Sequence, residues 1–180
     1  IEHVGQAEVA IAEAGYAVWS IEYRRLGDDG GGWPGTYLDV GQGIDHLREL
    51  AQPHTLDLGR VVVAGHSAGG ALALWAAARA KVDDQSALYT PDPLPVQAVF
   101  ALAPAADLEA VQKRGSCGNA VRRLMGGTPV EHAERYRAAS PMQLAPISVP
   151  QTLLIGGQDV VWAPPGRSYY HRAVTVGTED

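Results

Sequence analysis

The chain has 180 residues, 46% of them hydrophobic, a content that suits one globular domain with a substantial core. A formal net charge of −6 with no basic stripe argues against a nucleic-acid partner. No apolar run approaches the length of a membrane span, so no membrane partner is expected, and the lack of disulfides makes the cytoplasm the default location, with oligomeric state open.

Taken in chain order, the sequence alternates helix and strand. Val4, Ala7, Ile11 and Ala14 recur at helical spacing, and Gly15 stands where such a helix would stop. Residues 16–23 read as a strand, and a glycine- and aspartate-rich loop fills 27–35. Thr36 and Asp39 have capping-box spacing, and Tyr37, Val40, Ile44, Leu47 and Ala51 form one apolar stripe, which predicts a second helix. The β-branched run 60–64 predicts a buried strand, and 71–78, rich in alanine and leucine, predicts a helix. Residues 81–95 read as a loop and 96–103 as a strand ended by Pro104. Residues 105–145 read as broken helix, interrupted around 115–118, where Cys117 sits as a bystander thiol, and around 126–129. A single cysteine permits no internal disulfide and no cysteine-rich metal site. A fourth strand is predicted at 149–155, with Pro150 limiting its first pairing, and a short helix at 168–174. This alternation implies a parallel sheet covered by helices on both faces.

Between the strand at 60–64 and the helix at 71–78 stands Gly65-His66-Ser67-Ala68-Gly69-Gly70, which fits G-x-S-x-G. A serine on a tight strand-to-helix turn is the nucleophile elbow of serine hydrolases, and the turn forces that serine into a strained backbone conformation. Side chains at Gly65 and Gly69 are expected to collide with their surroundings. The helix that begins beside Ser67 points its positive end at the hydroxyl, and the Ala68 N–H is the candidate oxyanion donor. His66 adjoins the serine but points elsewhere, and it is expected to pack under the elbow.

The chain resembles an α/β-hydrolase and, within that superfamily, the small esterase and kynurenine-formamidase-like group. The residues that carry the likeness are 16–24 (Tyr16 to Arg24), Trp33-Pro34, Asp39, the elbow and its helix through Leu74, Ala139-Ser140-Pro141, and Gly156-Gly157-Gln158-Asp159. The resemblance implies an α/β-hydrolase fold, a mostly parallel sheet with helices on both faces, and a Ser-Asp-His triad in that chain order. Ser67 is then the nucleophile and Asp159 the acid that orients the base, against the alternative of a turn or helix-cap aspartate. Asp107, which also follows a strand end, is the rival acid, though it reads as a helix cap.

The base is missing from this pattern. Of six histidines (His3, His46, His54, His66, His132 and His171), only His171 follows Asp159, and it falls inside the predicted last helix, too early for the family's pattern. His132 reads as a solvated helix histidine, and no two of the six have metal-ligand spacing. A His-Gly-Gly motif that supplies the family's second oxyanion donor does not precede the first helix. Gly30-Gly31-Gly32 comes after the 16–23 strand and reads as a flexible loop beside the site. The expectation is one α/β-hydrolase domain over 1–180 that lacks the strands carrying the oxyanion loop and the strand carrying the catalytic histidine. In the family's sheet the oxyanion strand lies between the 16–23 strand and the elbow strand, so those two are expected to close up or stay unpaired, leaving a poorly stable chain prone to associate.

The implied function is a serine hydrolase acting on small acyl esters, or simple amides such as formamides, through an acyl-enzyme on Ser67 and with no cofactor. Three alternatives carry the same residues: a hydrolase-like binding domain without activity, an acyltransferase, and a peptidase. Trp33, Trp162, Tyr169 and Tyr170 are candidates to line an acyl or alcohol pocket, with plain packing as the other reading of each.

Overall fold

Residues 5–175 are described by a computed structural model of the chain. The first helix, α1 (Gly5–Glu13), stops where Gly15 takes φ 92°. The Gly15 and Tyr16 N–H groups then turn back onto the carbonyls of Ala12 (3.0 Å) and Ile11 (3.3 Å), a closure that favours glycine at the left-handed position. Residues 16–23 correct the expectation of a strand, because they belong to no sheet ladder. A strand exists only through its pairing, and no described strand pairs with this segment. The segment is seated instead on α2 (Gly35–Asp45). The Trp19 indole donates to the Gly43 carbonyl (2.9 Å), and Ile21 fills the space where a Gly43 side chain would stand.

The apolar stripe after residue 36 forms as expected, but over two helices, α2 and α3 (Leu47–His54), which meet at His46. Tyr37, Val40 and Ile44 are buried, and Leu47 and Ala51 half-buried. The capping box does not form. Pro34 is the cap residue, while the Thr36 hydroxyl donates to the Arg24 carbonyl (2.6 Å) and accepts from the Gly32 N–H (3.0 Å). Asp39 takes the Arg24 guanidinium as a fork, Nε at 2.8 Å and a terminal nitrogen at 2.7 Å, together with the Arg24 backbone N–H at 2.8 Å. The same three-residue spacing therefore ties down the preceding loop. That loop, expected to be flexible, is pinned further by the Trp33 N–H on the Leu124 carbonyl (2.7 Å).

The sheet holds three parallel strands in the order β1 (Val62–His66), β2 (Ala98–Leu102), β3 (Gln151–Leu154). Helix α4 (Ala68–Ala77) follows β1 and lies on β1 and β2. Gly70 to Ala76 are all buried, so α4 has no solvent face over that run, and its one polar handle, the Trp75 indole N–H, donates to the Ala138 carbonyl (3.0 Å). Burying an aliphatic side chain of this size is worth about 1.5–3 kcal/mol, so α4 is the chief hydrophobic anchor of the sheet. The broken-helix region resolves into α5 (Leu108–Arg114), α6 (Ala120–Met125), α7 (Ala133–Ala139) and α8 (Pro141–Leu144). Gly115 and Gly126, at φ 65° and 74°, stop the first two. The last helix, α9 (Ala163–Thr175), starts five residues before the expected position.

One face of the sheet lies under α4; the other is open among the described residues. Val62, Ala64 and His66 point to it with their register partners Phe100, Thr152, Leu102 and Leu154, and Val62 and Leu154 are 58% and 57% exposed. His66 therefore does not pack under the elbow. Side chains alternate along a strand, and its position sends the ring to the open face, where it is exposed.

Candidate active site

Every strand of a parallel sheet ends at the same edge, so the segments that follow β1, β2 and β3 gather there. In open α/β sheets that edge is where ligands bind. Ser67 follows β1 directly, Asp107 follows β2 after a short link, and Asp159 stands five residues past the end of β3.

Ser67 has φ 55° and ψ −116°, a conformation costly for a residue with a side chain, by about 1–3 kcal/mol. Three hydrogen bonds impose it. The Ser67 N–H donates to the Leu102 carbonyl at the end of β2 (2.8 Å), and the Ser67 carbonyl accepts from Ala71 (3.1 Å) and Ala105 (3.3 Å). Gly65 makes the turn possible, because a Cβ there would collide with the Gly69 carbonyl group and lie 2.8 Å from the Gly70 nitrogen. The sequence-based expectation for Gly69 is overturned, since a Cβ there meets nothing within 4 Å. The second tight glycine is Gly70, whose Cβ would stand 3.1 Å from the Gly65 carbonyl and from Pro104. Ala68 is the first residue of α4, so its N–H lies outside the helical ladder at the positive end of the helix. The Ser67 hydroxyl makes no hydrogen bond among the described residues. It is a half-exposed hydroxyl beside a backbone donor able to stabilise negative charge, two of the parts that nucleophilic attack at a carbonyl needs, the third being a base to take the proton.

Asp159 is half-buried, and one of its oxygens accepts the N–H groups of Val161 (3.0 Å) and Trp162 (2.9 Å) at the entry to α9. The other oxygen has no partner among the described residues. Asp107 acts as a helix cap, as its sequence setting indicates, by accepting from Ala110 (3.0 Å) at the start of α5. None of the described histidines bonds either Ser67 or Asp159. His46 pairs with Glu49 (Nδ1 to carboxylate 3.1 Å) beside the Trp19 ring, and His132 lies 3.6 Å from Glu134 at the start of α7 rather than within a helix. His54 is exposed at the end of α3, and His171 is exposed on α9 with its ring edge-on to Tyr170 at 5.7 Å. His3 lies outside the described residues. Among the described residues no group of three or more His, Cys, Asp or Glu could hold a metal ion, and no helix is long and apolar enough to cross a membrane.

Two of the aromatic candidates are packing groups. Tyr169 is fully buried, its hydroxyl is bonded to Gln151, and burial pushes its pKa up; Trp33 packs on Tyr37 with the Arg135 guanidinium 5.8 Å over its ring. Trp162 is half-buried next to Asp159, and Tyr170 is exposed on α9. Sequence reasoning missed the bond from the Leu108 N–H to the fully buried Ser140 hydroxyl (3.2 Å), which ties the start of α5 to the α7–α8 junction. The signal was present in Ala139-Ser140-Pro141. It also missed Arg79, 2% exposed, whose terminal nitrogens grip Asp45 at 2.8 and 2.6 Å; nothing local in the sequence marks that pair.

The fold is shared with known structures. A lipase/esterase from Lactobacillus plantarum superposes with a TM-score of 0.76 at 20% identity, covering 98% of this chain and 69% of that one. The carboxylesterase Cest-2923 from Lactobacillus plantarum WCFS1 gives 0.71 at 20% identity over 96% of this chain and 60% of that one. A bifunctional GH43-CE protein from Bacteroides eggerthii gives 0.73 at 22% identity over 93% of this chain and 24% of that one. The chain thus spans only part of each, and at these identities the likeness establishes the α/β-hydrolase fold, here with a three-stranded parallel sheet. No curated protein matches the sequence. The BD-FAE family model matches residues 2–169, and the chain belongs to that family.

Proposed function

We infer that the protein is a serine hydrolase that cleaves small acyl esters, with simple amides such as formamides within reach of the same chemistry. The observation that carries this reading is Ser67 itself, held at φ 55° at the start of α4 with a hydroxyl that has no partner among the described residues. Such strain persists only where the surroundings enforce it, and here the surroundings are the elbow of a fold whose known examples include a lipase/esterase and a carboxylesterase.

In the proposed reaction the Ser67 oxygen attacks the ester carbonyl while an imidazole takes its proton. The tetrahedral oxyanion is held by the Ala68 N–H as one half of the oxyanion hole. Collapse expels the alcohol, which leaves with the proton from the imidazolium, and Ser67 keeps the acyl group. Water attacks the acyl-enzyme by the same steps, releasing the acid and restoring the hydroxyl. Asp159 orients the imidazole through the carboxylate oxygen that the α9 turn leaves unused. The imidazole belongs to a histidine outside these 180 residues, with His171 the alternative within them. No cofactor enters, because backbone dipoles and the imidazole supply the polarisation and the proton transfer.

The test is fluorophosphonate labelling of the full-length protein, read by intact mass and peptide mapping, with turnover of a p-nitrophenyl acyl ester in parallel. Labelling confined to Ser67, with label and turnover both lost in Ser67→Ala by several orders of magnitude, supports the reading. Retained turnover in Ser67→Ala, or a folded wild-type protein that neither labels nor turns over ester, overturns it. Labelling of the 180-residue chain alone would assign the base to His171, and His171→Ala would then abolish it.

A further inference from the structure

The turn between α6 and α7 encloses an open depression of about 530 Å³ that the proposed hydrolysis does not use. Asn119, Arg122 and Arg123 line it from α6 and its cap, and Gly127, Glu131 and His132 from the turn. Its floor is set by the backbone. The Gly127 N–H donates to the Arg122 carbonyl (2.9 Å), and the buried Tyr136 hydroxyl donates to the Gly127 carbonyl (2.9 Å). A Cβ at Gly127 would stand 2.5 Å from the His132 ring, so the imidazole packs directly over this glycine.

The charges in this depression do not cancel. One oxygen of the Glu131 carboxylate accepts from the N–H (2.7 Å) and hydroxyl (2.9 Å) of Thr128, and these bonds, with the charge of the nearby Arg122, hold its pKa below the usual range. His132 faces Glu134 at 3.6 Å. Arg122 and Arg123 form no ion pair and no side-chain hydrogen bond among the described residues, a state they share with Arg114, Arg137, Arg167 and Arg172, but they alone of these six line a depression together. Two guanidinium groups against the single ionised carboxylate of Glu131 leave an excess of positive charge in the depression, on a chain whose formal charge is −6.

We propose that this depression binds a small molecule through an oxyanion group, a carboxylate or a phosphate, gripped by Arg122 and Arg123, with the Asn119 amide as a further donor. Guanidinium forks match the planar oxygen pair of such groups and give charge-assisted hydrogen bonds, the strong class of these contacts. The site is independent of Ser67, so it stands whether or not the protein hydrolyses esters.

The test is calorimetric titration of the chain with inorganic phosphate and, separately, with acetate, at constant ionic strength. The variants are R122A/R123A and, as a control on exposed arginines outside the depression, R114A/R137A. Saturable binding by the wild type and the control, weakened about tenfold or more in R122A/R123A, is expected, and the tighter of the two probes identifies the group. No saturable binding by the wild type overturns the proposal, as does equal weakening in both double variants, the mark of a diffuse charge effect. If R122A/R123A melts lower than wild type, R122K/R123K takes its place, because it keeps the charge and loses the fork. Intermediate affinity then supports the site and wild-type affinity overturns it.

Discussion

Replacing Gly65 by alanine should unseat the elbow, while the same change at Gly69 should do no harm. The Gly65 Cβ would press on the Gly69 carbonyl group and lie 2.8 Å from the Gly70 nitrogen, all backbone atoms of the first turn of α4. A flexible side chain could swing aside, but a helix cannot. The Ser67 N–H is tied to the Leu102 carbonyl at 2.8 Å, and α4 is wedged against β1 and β2. Overpacking a tight site costs about 1–3 kcal/mol, and relief against backbone belongs at the top of that range or above it. For a domain of this length each kcal/mol moves the melting temperature by about 2–4 °C, so Gly65→Ala should lower it by about 6–12 °C. At Gly69 the Cβ enters open space in a helix, where alanine gains up to ~1 kcal/mol over glycine. Gly70→Ala falls between them, since its Cβ would crowd the Gly65 carbonyl and Pro104 at 3.1 Å and the Leu102 carbonyl at 3.2 Å. Thermal melts followed by circular dichroism, in one buffer, rank the three. A Gly65→Ala protein that melts with the wild type, or a Gly69→Ala protein that falls as far as Gly65→Ala, would refute the argument.

The Arg79–Asp45 pair makes a second prediction. Arg79→Met leaves the half-buried Asp45 carboxylate with the Leu94 N–H (2.8 Å) and Arg48 at 3.6 Å, and because these remain the loss should fall below the ~3–5 kcal/mol of a fully buried pair broken from one side. Urea denaturation at neutral pH should show the loss as a lower midpoint with an unchanged slope, and an unchanged midpoint would refute it. The acid limb of stability makes a third. The Arg24 fork holds the Asp39 carboxyl below its ordinary value of 3.8. Burial pushes Asp45 up, but the Arg79 guanidinium and the Leu94 N–H outweigh it and bring Asp45 below that value as well. Both groups are depressed in the fold, so their stabilisation is present above pH 3.8 and is lost as pH falls through the folded values. Asp39→Asn should flatten the dependence of stability on pH below about 4, and an acid limb as steep as the wild type's would count against the fork.

The parts of this molecule that could be read from its sequence are those set by neighbours in the chain. The periodicity at 36–51, the valine run before Ser67 and the glycines at 115 and 126 report local geometry, and helices, strand and stops appear where they point. What failed was what depends on distant partners. Residues 16–23 have strand-like composition but no described neighbour to pair with, and they are held on α2 through Trp19 and Ile21 instead. The three-residue spacing of Thr36 and Asp39 suits a capping box equally well, and only the arrival of Arg24 from another segment decides otherwise. His66 obeys a local rule, strand alternation, that the proximity of Ser67 made easy to overlook.

Asp159 shows why a bland reading and a functional one need not compete. Its sequence setting left two alternatives, a cap for the next helix or the acid of a triad. In the structure one carboxylate oxygen caps the turn into α9 through the Val161 and Trp162 N–H groups. Those two bonds fix the plane of the carboxylate, and with it the direction of the second oxygen, which stays unoccupied among the described residues. An acid that must hold an imidazole in one tautomer and one orientation needs such an anchor, because a freely rotating carboxylate would accept the proton from several directions. In the proposed mechanism the cap is therefore what makes Asp159 fit to be the acid.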